Sequence, residues 1–221
     1  MSHELRTPLN AIIGFTGTLL MRLPGPLNTD QEKQLRTIQT SARHLLSLIN
    51  DLLEIAKIEA GKMDLKLEEV DLKAVIEEVA GTLAPQASAK GLQLGLDLPA
   101  AGIGFRSDRR ALSQIVLNLA NNAIKFTRAG SVRIAAAVRE TDRVRTIQVT
   151  VIDTGIGIRD EDRKKLFAAF SRLDDRSDGA YDSTGLGLHL SQKLAQRLGG
   201  HISVDSAYGV GSSFTLTLPV Q

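Results

Sequence analysis

Residues 30–60, DQEKQLRTIQTSARHLLSLINDLLEIAKIEA, set Leu35, Ile38, Ala42, Leu45, Ile49, Leu52 and Ala56 at alternating intervals of three and four. This is a sustained heptad seam, and it predicts a helix from Asp30 to Ala60 in a coiled coil or helical bundle. Gly61 follows at the place where a helix C-cap takes glycine. Upstream, Leu5, Leu9, Ile12, Leu19 and Leu23 step in the same way, with Thr16 in the vacant seam position. Leu23-Pro24-Gly25-Pro26 then breaks that first helix. A lone hairpin cannot bury both seams, because Leu46 and Leu53 widen the second stripe beyond one partner. The pattern predicts a homodimer through residues 1–60, two hairpins forming a four-helix bundle. The alternative is a hairpin packed on the rest of its own chain.

Beyond Gly61 the pattern changes, with the boundary between Gly61 and Asp71, so two domains are expected, 1–61 and 62–221. Alternating residues predict a short strand over Met63–Val70. A helix should run from Asp71 to about Ser88, and a second, capped by Asp108, to Phe126. Short strands are expected at Leu92–Leu98 and Gly104–Arg106, and a strand pair at Val132–Val138 and Arg145–Ile152. Thr184–Leu198 reads as a helix ended by Gly199-Gly200, and Ile202–Ser206 with Ser213–Leu218 as a closing hairpin. Helices and strands in blocks predict an α+β fold: the N-terminal helical hairpin, then an α/β sandwich with one mixed sheet covered by helices on one face. Residues 159–184 have no pattern, and a stretch this long inside a compact domain reads as a lid or binding loop.

Composition excludes several classes. With 43 % hydrophobic and 24 % charged residues the 221-residue chain is ordinary globular material, and its formal charge of +2 gives no footprint for nucleic acid. The absence of cysteine removes disulfides, thiolate metal sites and thiol nucleophiles. No apolar run approaches the roughly 18 residues of a membrane helix, and no signal peptide is visible. No Gly-x4-Gly-Lys-Ser/Thr occurs, so a P-loop is excluded.

Chemistry concentrates in four places. Ser2-His3-Glu4-Leu5-Arg6-Thr7-Pro8-Leu9-Asn10 sets His3, Glu4 and Thr7 away from the Leu5/Leu9/Ile12 seam, with His3 and Thr7 on one face. An exposed imidazole beside a carboxylate is a sensible phosphoryl acceptor, one ring nitrogen attacking while the carboxylate orients the protonated other. Pro8 supplies no backbone donor and predicts a bend there. Asn118-Leu119-Ala120-Asn121-Asn122-Ala123-Ile124-Lys125-Phe126 puts Asn118, Asn122 and Lys125 on one helix face; amide oxygens suit Mg²⁺ and the lysine suits phosphate. Asp153-Thr154-Gly155-Ile156-Gly157-Ile158 and Ser183-Thr184-Gly185-Leu186-Gly187-Leu188 bracket the long loop, where glycine permits close ligand approach and a helix N-terminus favours phosphate.

Taken alone, a His-Glu pair is a solvated surface pair and each glycine pair is a turn. Together, Ser2–Asn10 resembles the H-box of the sensor histidine kinases, and the later segments resemble that family's N-, G1- and G2-boxes. Leu166-Phe167-Ala168-Ala169-Phe170-Ser171-Arg172 resembles its F-box. These motifs stand in family order and span nearly the whole chain. The resemblance implies the ATP-binding fold shared with gyrase B, Hsp90 and MutL, with His3 phosphorylated and Glu4 its general base. It implies Thr7 positioning a water for phosphatase activity, and Asn122 on Mg²⁺ with Asn118 near the phosphates. Lys125 and Arg172 are implied on phosphates, Phe126 lining the site, and Asp153 accepting from the adenine amino group. Gly155 and Gly157 are implied beside base and lid, and Gly185, Gly187 and Thr184 beside the phosphates. Arg159, where a proline often stands, and Ser183, where a glycine is common, depart from the pattern at the lid's hinges.

The resemblance thus implies an ATP- and Mg²⁺-dependent protein-histidine kinase that autophosphorylates and passes the phosphoryl to an aspartate of a response-regulator receiver. The family places more of the first helix and a sensor upstream, which implies a truncated core with a weakened dimer. It is expected in the cytoplasm, any membrane anchor belonging to other segments, with neither nucleic acid nor membrane touched by these residues. The rival readings are a non-catalytic nucleotide-gated scaffold and a protein acting mainly as its partner's phosphatase.

Overall fold

The computed structural model describes residues 2–141, 144–171 and 185–220, except for the side chains of Ser2, His3, Thr141 and Val144. The chain divides into two compact units, Met1–Lys62 and Met63–Gln221.

The first unit is a helical hairpin of α1 (Ser2–Leu20) and α2 (Thr29–Glu59). α1 runs on through Pro8. It closes earlier than the seam pattern implied: Arg22 turns left-handed at φ 58°, its N–H donates to the Leu19 carbonyl at 2.8 Å and that of Leu23 to Thr18 at 3.4 Å. Leu23 therefore lies past the helix and is 73 % exposed, not part of the seam. Asn28 starts α2 with reciprocal bonds, accepting from the Gln31 N–H at 2.8 Å while Gln31 Oε1 accepts from the Asn28 N–H at 3.0 Å. At the far end Gly61 adopts φ 67°, and the Gly61 and Lys62 N–H groups return to Ile58 and Lys57 at 3.1 and 2.9 Å.

α1 packs along α2 and buries Leu9, Thr16 and Ala42. The Thr16 hydroxyl is satisfied within the seam by donating to the Ile12 carbonyl at 2.6 Å. Leu5, Ile12, Ile38, Leu45 and Leu52, all seam residues, stay 41 to 51 % exposed.

The second unit contains β1 (Glu68–Asp71), α3 (Leu72–Ala89), β2 (Gln93–Asp97), β3 (Gly104–Ser107), α4 (Arg109–Phe126), β4 (Ser131–Thr141) and β5 (Val144–Asp153). α5 (Asp160–Arg163), α6 (Gly187–Arg197), β6 (His201–Ala207) and β7 (Gly211–Pro219) follow. Five strands form one mixed sheet in the order β2-β4-β5-β7-β6, parallel only between β2 and β4. β1 and β3 form a separate antiparallel ribbon, Glu68 opposite Ser107. The strand expected from Met63 is thereby confined to Glu68–Asp71, since β3 offers only four residues to pair with.

Alternation sets the core. Val132, Ile134 and Ala136 on β4, Ile147, Val149 and Val151 on β5, and Phe214, Leu216 and Leu218 on β7 are buried. Register aligns them in rows, one being Ile134–Val151–Phe214–Val204. α3, α4 and α6 pack on the sheet. α4 repeats buried pairs (Ala111/Leu112, Ile115/Val116, Leu119/Ala120, Ala123/Ile124), which is a helical stripe. Asp71 caps α3 through the Lys73 N–H at 3.0 Å, and Asp108 caps α4 through the Ala111 N–H at 2.9 Å.

Candidate nucleotide site

Asp153 ends β5 on the inward side of the alternation, between Val132 on β4 and Ser212 on β7. Its carboxylate is 7 % exposed, and Oδ1 accepts the Gly155 N–H at 2.8 Å. Burial raises its pKa above the ordinary carboxylate value, against the pull of the Gly155 and Ser212 backbone donors. A buried acceptor anchored by its own turn can read an amino group with direction.

The turn that follows is walled by backbone. A Cβ at Gly155 would lie 2.6 Å from the Phe126 carbonyl oxygen and 2.8 Å from Asp153 Oδ1. Gly157 has φ 65°, and a Cβ there would lie 2.0 Å from the Ala207 oxygen. The Ile156 N–H donates to the Phe126 carbonyl at 3.3 Å, so this turn is tied to the end of α4. Gly185 has φ 66°, and a Cβ there would meet the Ser171 oxygen at 2.8 Å. That conformation is why α6 begins at Gly187 rather than at Thr184. At Gly187 a Cβ would meet only Asn118, at 3.7 Å, an ordinary contact.

The three asparagines of α4 divide. Asn118 Nδ2 donates to the Gly187 carbonyl and to Ser191 Oγ, each at 3.3 Å, fastening α4 to α6. Asn121 Oδ1 accepts from Gln86 of α3 at 3.1 Å. Asn122 and Lys125 are half-buried, and Lys125 Nζ stands 5.6 Å from the Phe126 ring centroid. Among the described residues no group of three His, Cys, Asp or Glu could hold a metal. The donor chemistry fits Mg²⁺ all the same: one amide oxygen suffices for an ion that keeps water and takes phosphate oxygens. The glycine clefts and the buried Asp153 acceptor likewise fit a purine nucleotide.

Structure therefore gathers Phe126, Asp153, Gly155 and Gly157 around one turn, and Asn118, Gly187 and Ser191 around another. Glu4 and Thr7 are exposed on α1. The His3 side chain, Arg172 and Thr184 lie outside the described residues, as does the second half of the expected lid, residues 172–184. Several contributing residues had no signal in the sequence. Lys90 Nζ donates to the Ile124 and Lys125 carbonyls at 2.9 and 2.8 Å, capping α4 from a distant helix end. His189 Nδ1 lies 2.8 Å from the Phe167 carbonyl, tying α6 to the F-box segment. Ser206 Oγ accepts the Ile158 N–H at 2.9 Å behind the glycine turn.

Such a fold, with a buried carboxylate and paired glycine turns, defines an ATP-binding domain. The family model of histidine kinase-, DNA gyrase B- and HSP90-like ATPases matches residues 107–221, and the His Kinase A phospho-acceptor model matches residues 1–61. The chain belongs to the sensor histidine kinases. It is 44 % identical over 223 residues to the non-motile and phage-resistance protein of Caulobacter vibrioides, covering 100 % of this chain and 26 % of that one. It is 38 % identical to the autoinducer 2 sensor kinase/phosphatase LuxQ of Vibrio cholerae, covering 100 % and 26 %. The chain thus spans about a quarter of the length of these curated relatives. Full-length ShkA, crystallised with AMPPNP, superposes with a TM-score of 0.82 at 32 % identity, over 99 % of this chain and 44 % of that one. No helix among the described residues is long and apolar enough to cross a membrane.

Proposed function

We propose that this chain transfers the γ-phosphoryl group of ATP to His3 and then to an aspartate of a response-regulator receiver. The observation that carries it is the buried Asp153 acceptor inside a turn that admits no side chain at Gly155 or Gly157, in a chain whose first 61 residues match a phospho-acceptor domain. Asp153 reads the adenine amino group. Lys125 and Arg172 balance phosphate charge, and the Gly185 and Gly187 turn with Thr184 lies against the phosphates.

Asn122 would hold Mg²⁺, which supplies charge neutralisation on the phosphate oxygens when bound. A His3 ring nitrogen attacks the γ-phosphorus, the bond from that phosphorus to the β–γ bridging oxygen breaks, and ADP leaves with the electron pair. The proton of the other ring nitrogen passes to Glu4, which orients the ring. Positioning and electrostatics supply the catalysis. The exposed seam residues Leu5, Ile12, Ile38, Leu45 and Leu52 support a homodimer through residues 1–60.

Incubation with γ-labelled ATP and magnesium tests this. Wild type should take up acid-labile, alkali-stable label; His3→Gln should take up none, and Asn122→Asp should lose it with magnesium-dependent nucleotide binding. Equal labelling of wild type and His3→Gln would refute the kinase reading. Nucleotide binding without label on His3 would favour the gated scaffold.

A phosphatase activity on the same receiver is favoured by the exposed Glu4 and Thr7 one helical turn apart, and LuxQ bears kinase and phosphatase in its name. Thr7→Ala should then slow receiver dephosphorylation while leaving His3 labelling in place.

A further inference from the structure

Arg159 stands where the resembling family often has proline, at the start of the segment that follows the glycine turn. Its guanidinium carbon lies 4.6 Å from the centroid of the Tyr208 ring, and its Nη2 is 3.4 Å from the Tyr208 hydroxyl. Tyr208 sits in the turn between β6 and β7 and is 57 % exposed. Arg159 has φ −71° and ψ 146° as the residue that opens α5. A proline ring would fix that same φ. The unusual arginine therefore occupies a backbone shape that proline would impose, and a cation–π contact holds it there from outside.

Neighbouring bonds show what this contact secures. The Gly209 N–H donates to the Ile156 carbonyl at 2.7 Å and the Ile158 N–H to Ser206 Oγ at 2.9 Å. Arg163 Nη2, at the end of α5, donates to the Ser206 carbonyl. Gly157 lies hard against Ala207. The proposed adenine turn is thus backed by the β6–β7 turn, and Arg159 grips that turn with its side chain.

We propose that Arg159 and Tyr208 form a clasp that fixes the chain where it leaves the adenine turn, acting as positioning residues for nucleotide retention. The clasp replaces the stiffness of a proline with a contact between two segments. Unlike a ring, it can open, so the residence time of nucleotide depends on it. This inference rests on the nucleotide reading above.

The test uses the full chain with ADP and ATP in magnesium, reading Kd by calorimetry and release rate by stopped flow, with urea midpoints in parallel. Tyr208→Ala and Arg159→Ala should each raise Kd and speed release about three- to tenfold, the scale of one exposed cation–π contact and one hydrogen bond. The double variant should be no worse than either single, since both remove one interaction. Tyr208→Phe, which keeps the ring, should fall between. Arg159→Pro should bind nearly as wild type, and adding Tyr208→Ala to it should change nothing. A general loss of structure would not be rescued by proline. Additive losses, or unchanged release in Arg159→Ala while wild type binds, would overturn the clasp alone. A wild type that binds no nucleotide would overturn the nucleotide reading, and the clasp with it.

Discussion

Replacing Gly157 with alanine should close the proposed adenine turn. Two costs add. At φ 65° an alanine pays about 1–2 kcal/mol for the left-handed conformation. Its Cβ would also lie 2.0 Å from the Ala207 oxygen, where a carbon–oxygen contact needs roughly 3.3 Å. Relieving the overlap moves turn and hairpin apart by more than an ångström. That stretches the Gly209–Ile156 bond from 2.7 Å and the Ile158–Ser206 bond from 2.9 Å beyond useful range, at about 1 kcal/mol each. The total is about 3–4 kcal/mol, enough to weaken nucleotide binding by about two to three orders of magnitude if it falls on the binding-competent geometry. Gly187→Ala is the control, because its Cβ meets Asn118 at an ordinary 3.7 Å. Its urea midpoint should hold or rise slightly, so any loss of affinity there reports approach to phosphate rather than misfolding. Titration calorimetry with ADP and urea unfolding decide both. A Gly157→Ala protein with wild-type midpoint and Kd within about twofold would refute the close-approach reasoning.

Further perturbations probe other elements. Burial, with the Glu54 charge second, pushes the Asp51 carboxyl from 3.8 up to about 6. Its folded pKa exceeds the unfolded one, so its stabilisation is full below pH 3.8 and is lost as pH rises through about 6. Asp51→Asn should therefore raise the Tm at pH 7.5 and confer no advantage below pH 4, as a melting series across that range would show. Lys90→Met should destabilise the second unit by about 1–2 kcal/mol in urea, since charged donors leave the α4 carbonyls; a midpoint like wild type would refute the cap. Ile38→Glu with Leu45→Glu should turn a dimer into a helical monomer, weakening association about a hundredfold or more, read by sedimentation with circular dichroism as the folding control. Unchanged association would show that the open seam is not the dimer face.

The local features of this chain were legible because local rules produce them. Asp71 and Asp108 announced two helix starts that their side chains then make. Gly61 announced the end of α2, and the stripe on α4 announced its buried face. Misreadings came where distant partners decide. Nothing at Met63–Val70 reveals that its partner strand has four residues. Leu23 kept the seam's spacing, yet Arg22 had already turned the chain left-handed, a conformation seldom expected of arginine. In the site, the glycines and Asp153 stood out because a turn needs those residue types in close succession. Asn118 was marked by its spacing on α4, while its bonds to Gly187 and Ser191, some seventy residues on, left no trace in the sequence. Lys90, Ser206 and Tyr208 act across long chain separations, and a lone lysine, serine or tyrosine carries no spacing that would mark it.

The parallel join of β2 to β4 bears on the order of assembly. A strand that pairs in parallel cannot be delivered by a tight turn, and here β3 and the whole of α4 lie between the two. β4 and β5 meet through a short local connection, whereas β2 must wait for a larger loop to close. It sits at the margin of the sheet with most of its residues open to water. Amide exchange would therefore begin there and reach the doubly paired centre at β5 last, so the sheet's rim can breathe while the floor beneath Asp153 stays shut.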